Sequence, residues 1–386
     1  MPYSFPYILL VLFFLGVTVI QLGFPLDEKS RKFLNYFVII AYILFFGYRG
    51  FIATDWINYY TFFKDLSTDF SSALNKSTFE PGFVVYSVLI KNFFSSYEAF
   101  QLINTLIHVL LVVVFIKRYL SIKYHSLAFA VFFVFNGFIL ETNLLRNFMA
   151  ILIFLLSLPY IEKRKPIKYF SCILIGVMFH WTSILYAPLY FFLHKKMEIR
   201  FFLMIFIIGS FIYLIQFEYI KPIIGFVAKL LPESNSVKIQ YYLQQKMYSG
   251  TNGLTFGYFE RALIFFLILF YYKKITDNKS NVLFVNSFII FMVLYLYFYE
   301  IRIVQERIGS NFVYSYWILI PLVIHEIEKN FKILSFLFIS LLLIAKIHLA
   351  TNYIFYDYDS FLFGNSKTHD ERLDIYNKNK HIIEKE

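Results

Sequence analysis

Apolar runs near the roughly 20 residues needed to cross a bilayer recur along this chain from Tyr3 to Tyr353, and most of its lysines and arginines sit in the short connections between them. A soluble core has no use for so many continuous apolar segments. Only 16% of the 386 residues are charged and 59% are hydrophobic, whereas about a quarter are charged in soluble domains. The chain therefore reads as an all-α, polytopic integral membrane protein, and the lipid bilayer is its first partner. Residues 1–356 are expected to form a single transmembrane helical domain, and 357–386 a polar C-terminal tail.

The net charge of +11 does not point to nucleic acid, because cations in short connections set orientation. Cys172 is the only cysteine, which rules out an intrachain disulfide and a cysteine metal cluster. The first apolar run, 3–24, lacks a charged start and a small-residue cleavage site, so it is expected to be a retained span.

Sidedness follows from the basic connections. Asp27-Glu28-Lys29-Ser30-Arg31-Lys32 forms a basic turn that belongs in the cytoplasm, which places the amino terminus outside. Span 33–48 then delivers Arg49, Asp55, Trp56 and Tyr59 into an outer loop near 49–82 that ends at Glu80-Pro81-Gly82. Segment 83–94 is short and holds Lys91 and Asn92. If it crossed, Lys117, Arg118 and Lys123 would lie outside, so it is expected to be re-entrant or tilted.

Spans 97–116, 125–140 and 143–161 lead to the most basic turn, Glu162 to Lys168. Segment 169–193 is basic at its far end as well, which fits a broken helical hairpin with His180-Trp181-Thr182-Ser183 at its tip. Non-helical backbone at that depth needs protein or water around it. Span 201–217 reaches a second outer loop near 218–257, in which 237–248 has the spacing of an interfacial amphipathic helix. Spans 258–272, 282–299, 311–324 and 333–353 bring the expectation to about 12 transmembrane segments.

This threading puts Arg49, Asp55, Glu80, Arg146, His180, Arg261, Arg302 and Arg307 on one side. Arg146 lies in the first turn of its helix, where the dipole is already positive, so a helix start plus a guanidinium makes an anion site suited to phosphate. Asn143, three residues earlier, shares that face. The plainer reading is an arginine that snorkels to the interface. His180 has the pKa range of a general base, or else it satisfies free backbone at a broken helix.

Asp55 and Glu80 are acid/base and sugar-binding candidates or ordinary solvated loop carboxylates. Arg49, Arg261, Arg302 and Arg307 could simply flank spans, but positive-inside selection depletes arginine on an outer face, so an anionic ligand explains them better. Asp357-Tyr358-Asp359 has the spacing of some metal-dependent sites but follows the last span, and no metal is expected there. Asn75-Lys76-Ser77 fits a glycosylation acceptor, a pattern short enough to arise by chance.

Arg49 with Asp55 and Tyr59, then Glu80-Pro81-Gly82-Phe83, Asn143-Leu144-Leu145-Arg146-Asn147, Phe179-His180-Trp181-Thr182-Ser183 and Glu306-Arg307 resemble the EpsG branch of Wzy-like bacterial polysaccharide polymerases. The resemblance covers roughly 49–311 and departs at Ala53-Thr54, where the family tends to carry glycine. It implies a GT-C-like membrane glycosyltransferase in the bacterial inner membrane. Such an enzyme polymerises undecaprenyl-diphosphate-linked oligosaccharide repeat units at the outer face into capsule, O-antigen or exopolysaccharide, with no cofactor, nucleotide sugar or metal, and a chain-length regulator can assist it.

On that reading His180, Asp55 or Glu80 takes the proton. Arg49, Asn143, Arg146, Arg261, Arg302 and Arg307 hold the diphosphate, and Trp56, Tyr59 and Trp181 stack on sugar. A flippase or transporter for the same lipid, a glycan ligase and a membrane acyltransferase are the alternatives. A transporter would call for functional charges on both faces and internal repeats, and neither is visible.

Overall fold

The computed structural model describes residues 2–229, 254–302, 304–364 and 366–385. Its described residues are helical with no strand, apart from one isolated bridge between Arg49 and Ser360. The segment 237–248, expected to be amphipathic, lies outside the described residues. The chain forms two compact units, one of 1–192 with 320–380 and another of 193–319 with 381–386.

The first unit begins with α1 (Phe5–Gly23) and α2 (Glu28–Gly47). Its excursion α3 (Trp56–Asp65) and α4 (Phe70–Lys76) leads into α5 (Pro81–Phe93) and α6 (Tyr97–Tyr119). Next come α7 (Ile122–Thr142), α8 (Leu145–Glu162) and α9 (Pro166–Phe179). The second unit holds α10 (Ile199–Ile215), α11 (Phe256–Phe270) and α12 (Asn281–Tyr297). The chain then returns to the first unit with α13 (Lys329–Thr351) and α14, which starts at His369.

Among the described residues, six helices are long and apolar enough to cross a membrane: α1, α2, α6, α7, α8 and α13. A seventh span results if α10 and 220–226, bent by 84°, count as one. The expected twelve are therefore not all present as full-length helices. The second unit's α11, for instance, has 15 residues, and at 1.5 Å per residue that is about 22 Å against a hydrocarbon core of about 30 Å.

Local chemistry explains where the elements start. Asp27 caps α2 by accepting from Ser30 N at 3.0 Å, and Glu28 pairs with Lys32 at 2.6 Å. The expected basic turn is thus corrected: its cations lie on the first turns of a helix whose start an acidic cap stabilises. Ser96 caps α6 in the same way, and Pro81 sits in the first turn of α5, where its missing N–H costs nothing.

The broken segment after α8 does turn back on itself. Helix α9 stops at Phe179, residues 181–186 tighten into a 3₁₀ turn, and the returning chain comes back to where α9 began. There Tyr169 Oη donates to Tyr186 O at 2.6 Å and Arg164 Nη1 to Tyr190 O at 2.7 Å. Two close approaches depend on missing side chains. A Cβ on Gly82 would sit 2.8 Å from the Met178 carbonyl oxygen, and one on Gly176 would sit 2.8 Å from Ser183 Oγ.

The polar tail that begins at 357 docks on the first unit through its opening residues. Gly50 N donates to Asp359 O and Phe361 N to Tyr48 O, both at 2.9 Å, while Ala53 N donates to Phe355 O at 2.7 Å. A side chain on Gly50 would strike the Asp359 carboxylate. Asp357 and Asp359 are held by Lys367 and by the buried Arg372, which lies 3.1 Å from Asp359 Oδ1. His369, at the start of α14, stacks on Tyr60 at 4.5 Å.

Candidate functional site

The ends of several helices collect at one pole of the first unit, and the contacts between them define it. Gln101 Nε2 near the start of α6 donates to Arg49 O just past α2, and Arg49 donates to Glu141 O at the end of α7. Asn143, between α7 and α8, accepts from both Thr54 N and Asp55 N at 3.1 Å. At the end of α9, Thr182 Oγ1 donates to Asn147 Oδ1 at 3.2 Å, on the first turn of α8. Tyr7 Oη near the start of α1 donates to Tyr356 O, just past α13.

Arg146 projects from the first turn of α8 and pairs through Nη1 with Glu80 Oε2, the residue that opens α5. Its guanidinium carbon lies 4.2 Å over the Phe79 ring. Packing and pairing together fix the side chain in one orientation. Arg146 also forms part of the wall of a cavity of about 520 Å³, together with Asp55, Tyr59 and Phe79. Burial pushes the Tyr59 phenol up to about 12, so it stays a neutral hydrogen-bond donor at neutral pH.

Asp55 owes its place to Asn143, whose side-chain oxygen takes two successive backbone N–H groups of the turn. Ala53 is left-handed there, with φ of 67°, which accounts for glycine being favoured at this turn. Ala53→Gly is expected to shift stability by less than about 1 kcal/mol: relief of left-handed strain offsets a lost buried methyl and a looser unfolded chain. Ala53→Val forces a branched side chain into the same conformation and should lower the thermal midpoint clearly in detergent.

His180 ends α9 and contacts Thr182 Oγ1 through Nδ1 at 2.6 Å. Thr182 Oγ1 reaches onward to Asn147 Oδ1 and its backbone amide approaches His180 Nδ1 at 3.4 Å, so the imidazole is tied through Thr182 to the first turn of α8. Trp181 is exposed beside it, with ring centroids 6.5 Å apart.

Other predicted residues occupy different surroundings. Arg49 is 3% exposed; it donates to Phe46 O and Glu141 O and does not line the cavity. Trp56 is buried among Phe51 and His369, so its ring faces protein. Three of the predicted arginines lie in the second unit. Arg261 donates to Gly257 O at 2.7 Å and lies 4.1 Å over the Tyr295 ring, Arg302 pairs with Glu306 at 2.7 Å, and Arg307 is exposed on a π-turn, Val304–Ile308.

Sequence reasoning gave no role to a buried cluster behind the site. Glu141 is fully buried, accepting from Thr105 Oγ1 at 2.5 Å and lying 3.0 Å from His108 Nδ1 and 4.0 Å from Arg49 Nη1. A signal for it exists: Gln101, Asn104, Thr105 and His108 form a polar stripe at helical spacing in an otherwise apolar span, and all four are buried.

The protein defined so far is a multi-spanning membrane protein that gathers a guanidinium, two carboxylates and an imidazole at one pole of its longer-spanning unit. Residues 32–362 match the EpsG family, and the chain belongs to it. EpsG-like proteins are Wzy-type polysaccharide polymerases, which places this chain in polysaccharide biosynthesis. No curated protein and no solved structure matches it.

Proposed function

We propose that the protein is a GT-C-like membrane glycosyltransferase of the bacterial inner membrane that joins undecaprenyl-diphosphate-linked oligosaccharide repeat units at the outer face. The observation that carries this reading is Arg146, fixed by Glu80 at the wall of a cavity shared with Asp55, in a chain of the EpsG family. Arg146 would hold the diphosphate and stabilise the charge that develops on it, an effect strongest where water is scarce. The acceptor hydroxyl attacks the anomeric carbon of the donor sugar, and the bond from that carbon to the diphosphate oxygen breaks. Undecaprenyl diphosphate leaves with the electron pair.

A base removes the hydroxyl proton. Asp55 is assigned this step because it shares the cavity wall with Arg146. Glu80 positions the guanidinium, and His180, tied through Thr182 to the neighbouring Asn147, is the other base at this pole. Asp55→Asn should lower turnover by about 10²–10⁴-fold, with a smaller loss for His180→Ala. Purified protein and lipid-linked repeats in nanodiscs provide the assay, and the reverse order would move the proton to His180. Deleting the gene should remove the surface-glycan ladder while single repeats still reach the surface. Loss of every exposed repeat would instead identify a flippase.

A further inference from the structure

The cavity that Arg146 enters extends well beyond Asp55 and Tyr59. Its far wall is the excursion of α3 and α4, which contributes Asn58, Thr61, Asp65, Ser72, Lys76 and Thr78. At about 520 Å³ it falls in the range of roughly 300–1,000 Å³ typical of small-molecule sites. An amide, hydroxyls, a carboxylate and an ammonium group share the lining with the apolar Ile57, Phe62, Leu66 and Ala73, so a ligand here meets donors and acceptors alongside apolar surface, as the two faces of a sugar ring require.

The aromatic rings at its base are already engaged. Phe79 carries Arg146 at 4.2 Å and packs on Phe62 at 4.6 Å, and Phe62 stacks on Phe83. Recognition is therefore left to hydrogen bonds. A lipid tail would cover these polar groups without giving them partners, and the diphosphate is assigned to Arg146, whereas the excursion's part of the wall carries the carboxylate of Asp65. A polyhydroxyl ligand, in which every group both donates and accepts, suits the wall.

The wall is also preorganised. Lys91 of α5 donates to Phe63 O at 2.6 Å and Lys64 O at 2.8 Å, closing the end of α3 next to Asp65. Asp69 caps α4 by accepting from Ser72 N at 2.7 Å. Neither contact needs a ligand to form.

We infer that this cavity is a saccharide subsite: it takes the sugar residues next to the reacting centre, and Asp65 and Lys76 read their hydroxyl pattern. The identity of the sugar as part of a polymerised repeat unit rests on the function proposed above. Binding of a saccharide does not.

The test uses the full-length protein in nanodiscs and, as probe, the oligosaccharide released by mild acid from the host's lipid-linked repeats, followed by saturation-transfer NMR. The wild type should transfer saturation to the probe, and Ser72→Trp, which fills the cavity, should not. Asp65→Asn and Lys76→Ala should each raise the KM for the lipid-linked repeat about tenfold, as expected for a lost hydrogen bond to a charged group, with kcat changed less than threefold. These two variants decide the matter if Ser72→Trp fails to fold.

Unchanged probe contact in Ser72→Trp, or unchanged KM in both charge variants, overturns the subsite. Chain extension by Ser72→Trp at the wild-type rate rejects the subsite and keeps the polymerase. A probe that binds the wild type but not Ser72→Trp, together with no extension by the wild type, keeps the subsite and rejects the polymerase.

Discussion

Arg146→Ala is expected to abolish chain extension while the protein still inserts and purifies at normal yield. Its guanidinium is the cation on the cavity wall that an ion pair and an aromatic ring both hold in place. Removing a preorganised electrostatic group costs about 10²–10³-fold in kcat. Arg146→Lys should recover little, because an ammonium cannot hold Glu80 and a phosphate oxygen with one planar fork. Turnover of lipid-linked repeats in nanodiscs measures both, and near-normal polymer from the alanine variant removes Arg146 from the mechanism.

The second large effect concerns stability. Glu141 is the carboxylate partner of buried Arg49 and contacts His108, so Glu141→Ala leaves the Arg49 guanidinium buried without its counter-charge and His108 without its hydrogen-bond partner. Breaking a buried pair from one side costs about 3–5 kcal/mol, and the variant should lose its monodisperse peak in detergent or melt far below wild type. Glu141→Gln keeps an acceptor for Thr105 and should fall in between. Replacing Arg49 by Met and Glu141 by Leu together should recover part of the loss, because the exposed cost is a stranded charge and not a missing attraction. A wild-type melting profile for Glu141→Ala would show that the cluster contributes nothing.

The long apolar spans were readable because period and length are local properties. The helix start at Tyr97 was readable for the same reason, since its Ser96 cap is adjacent in sequence, whereas α2 and α5 begin at Glu28 and Pro81, ahead of the expected 33 and 83. The alternation of spans, once the basic connections are placed, set the expectation that Arg49, Asp55, Glu80, Arg146, His180, Arg261, Arg302 and Arg307 share one side; of these, Arg261, Arg302 and Arg307 belong to the second unit. Two things were not legible. The tail's docking depends on pairs more than 300 residues apart, such as Ser360 with Tyr48, and composition carries no trace of such pairing. The cavity wall is built by short polar helices whose sequence reads simply as a loop, since neither α3 nor α4 has the apolar length that marks a span.

The docking of residues 355–361 on residues 48–53 sets an order of assembly. Insertion proceeds from the amino terminus during synthesis, so the strap that pins the Asp55 turn emerges only after α13 has been made. Until then Gly50 and Ala53 have no carbonyl partners from the far end of the chain. The turn before Asp55 is therefore completed by a segment made more than 300 residues later, and a nascent chain stalled short of residue 355 carries α1 to α13 with that turn unpinned.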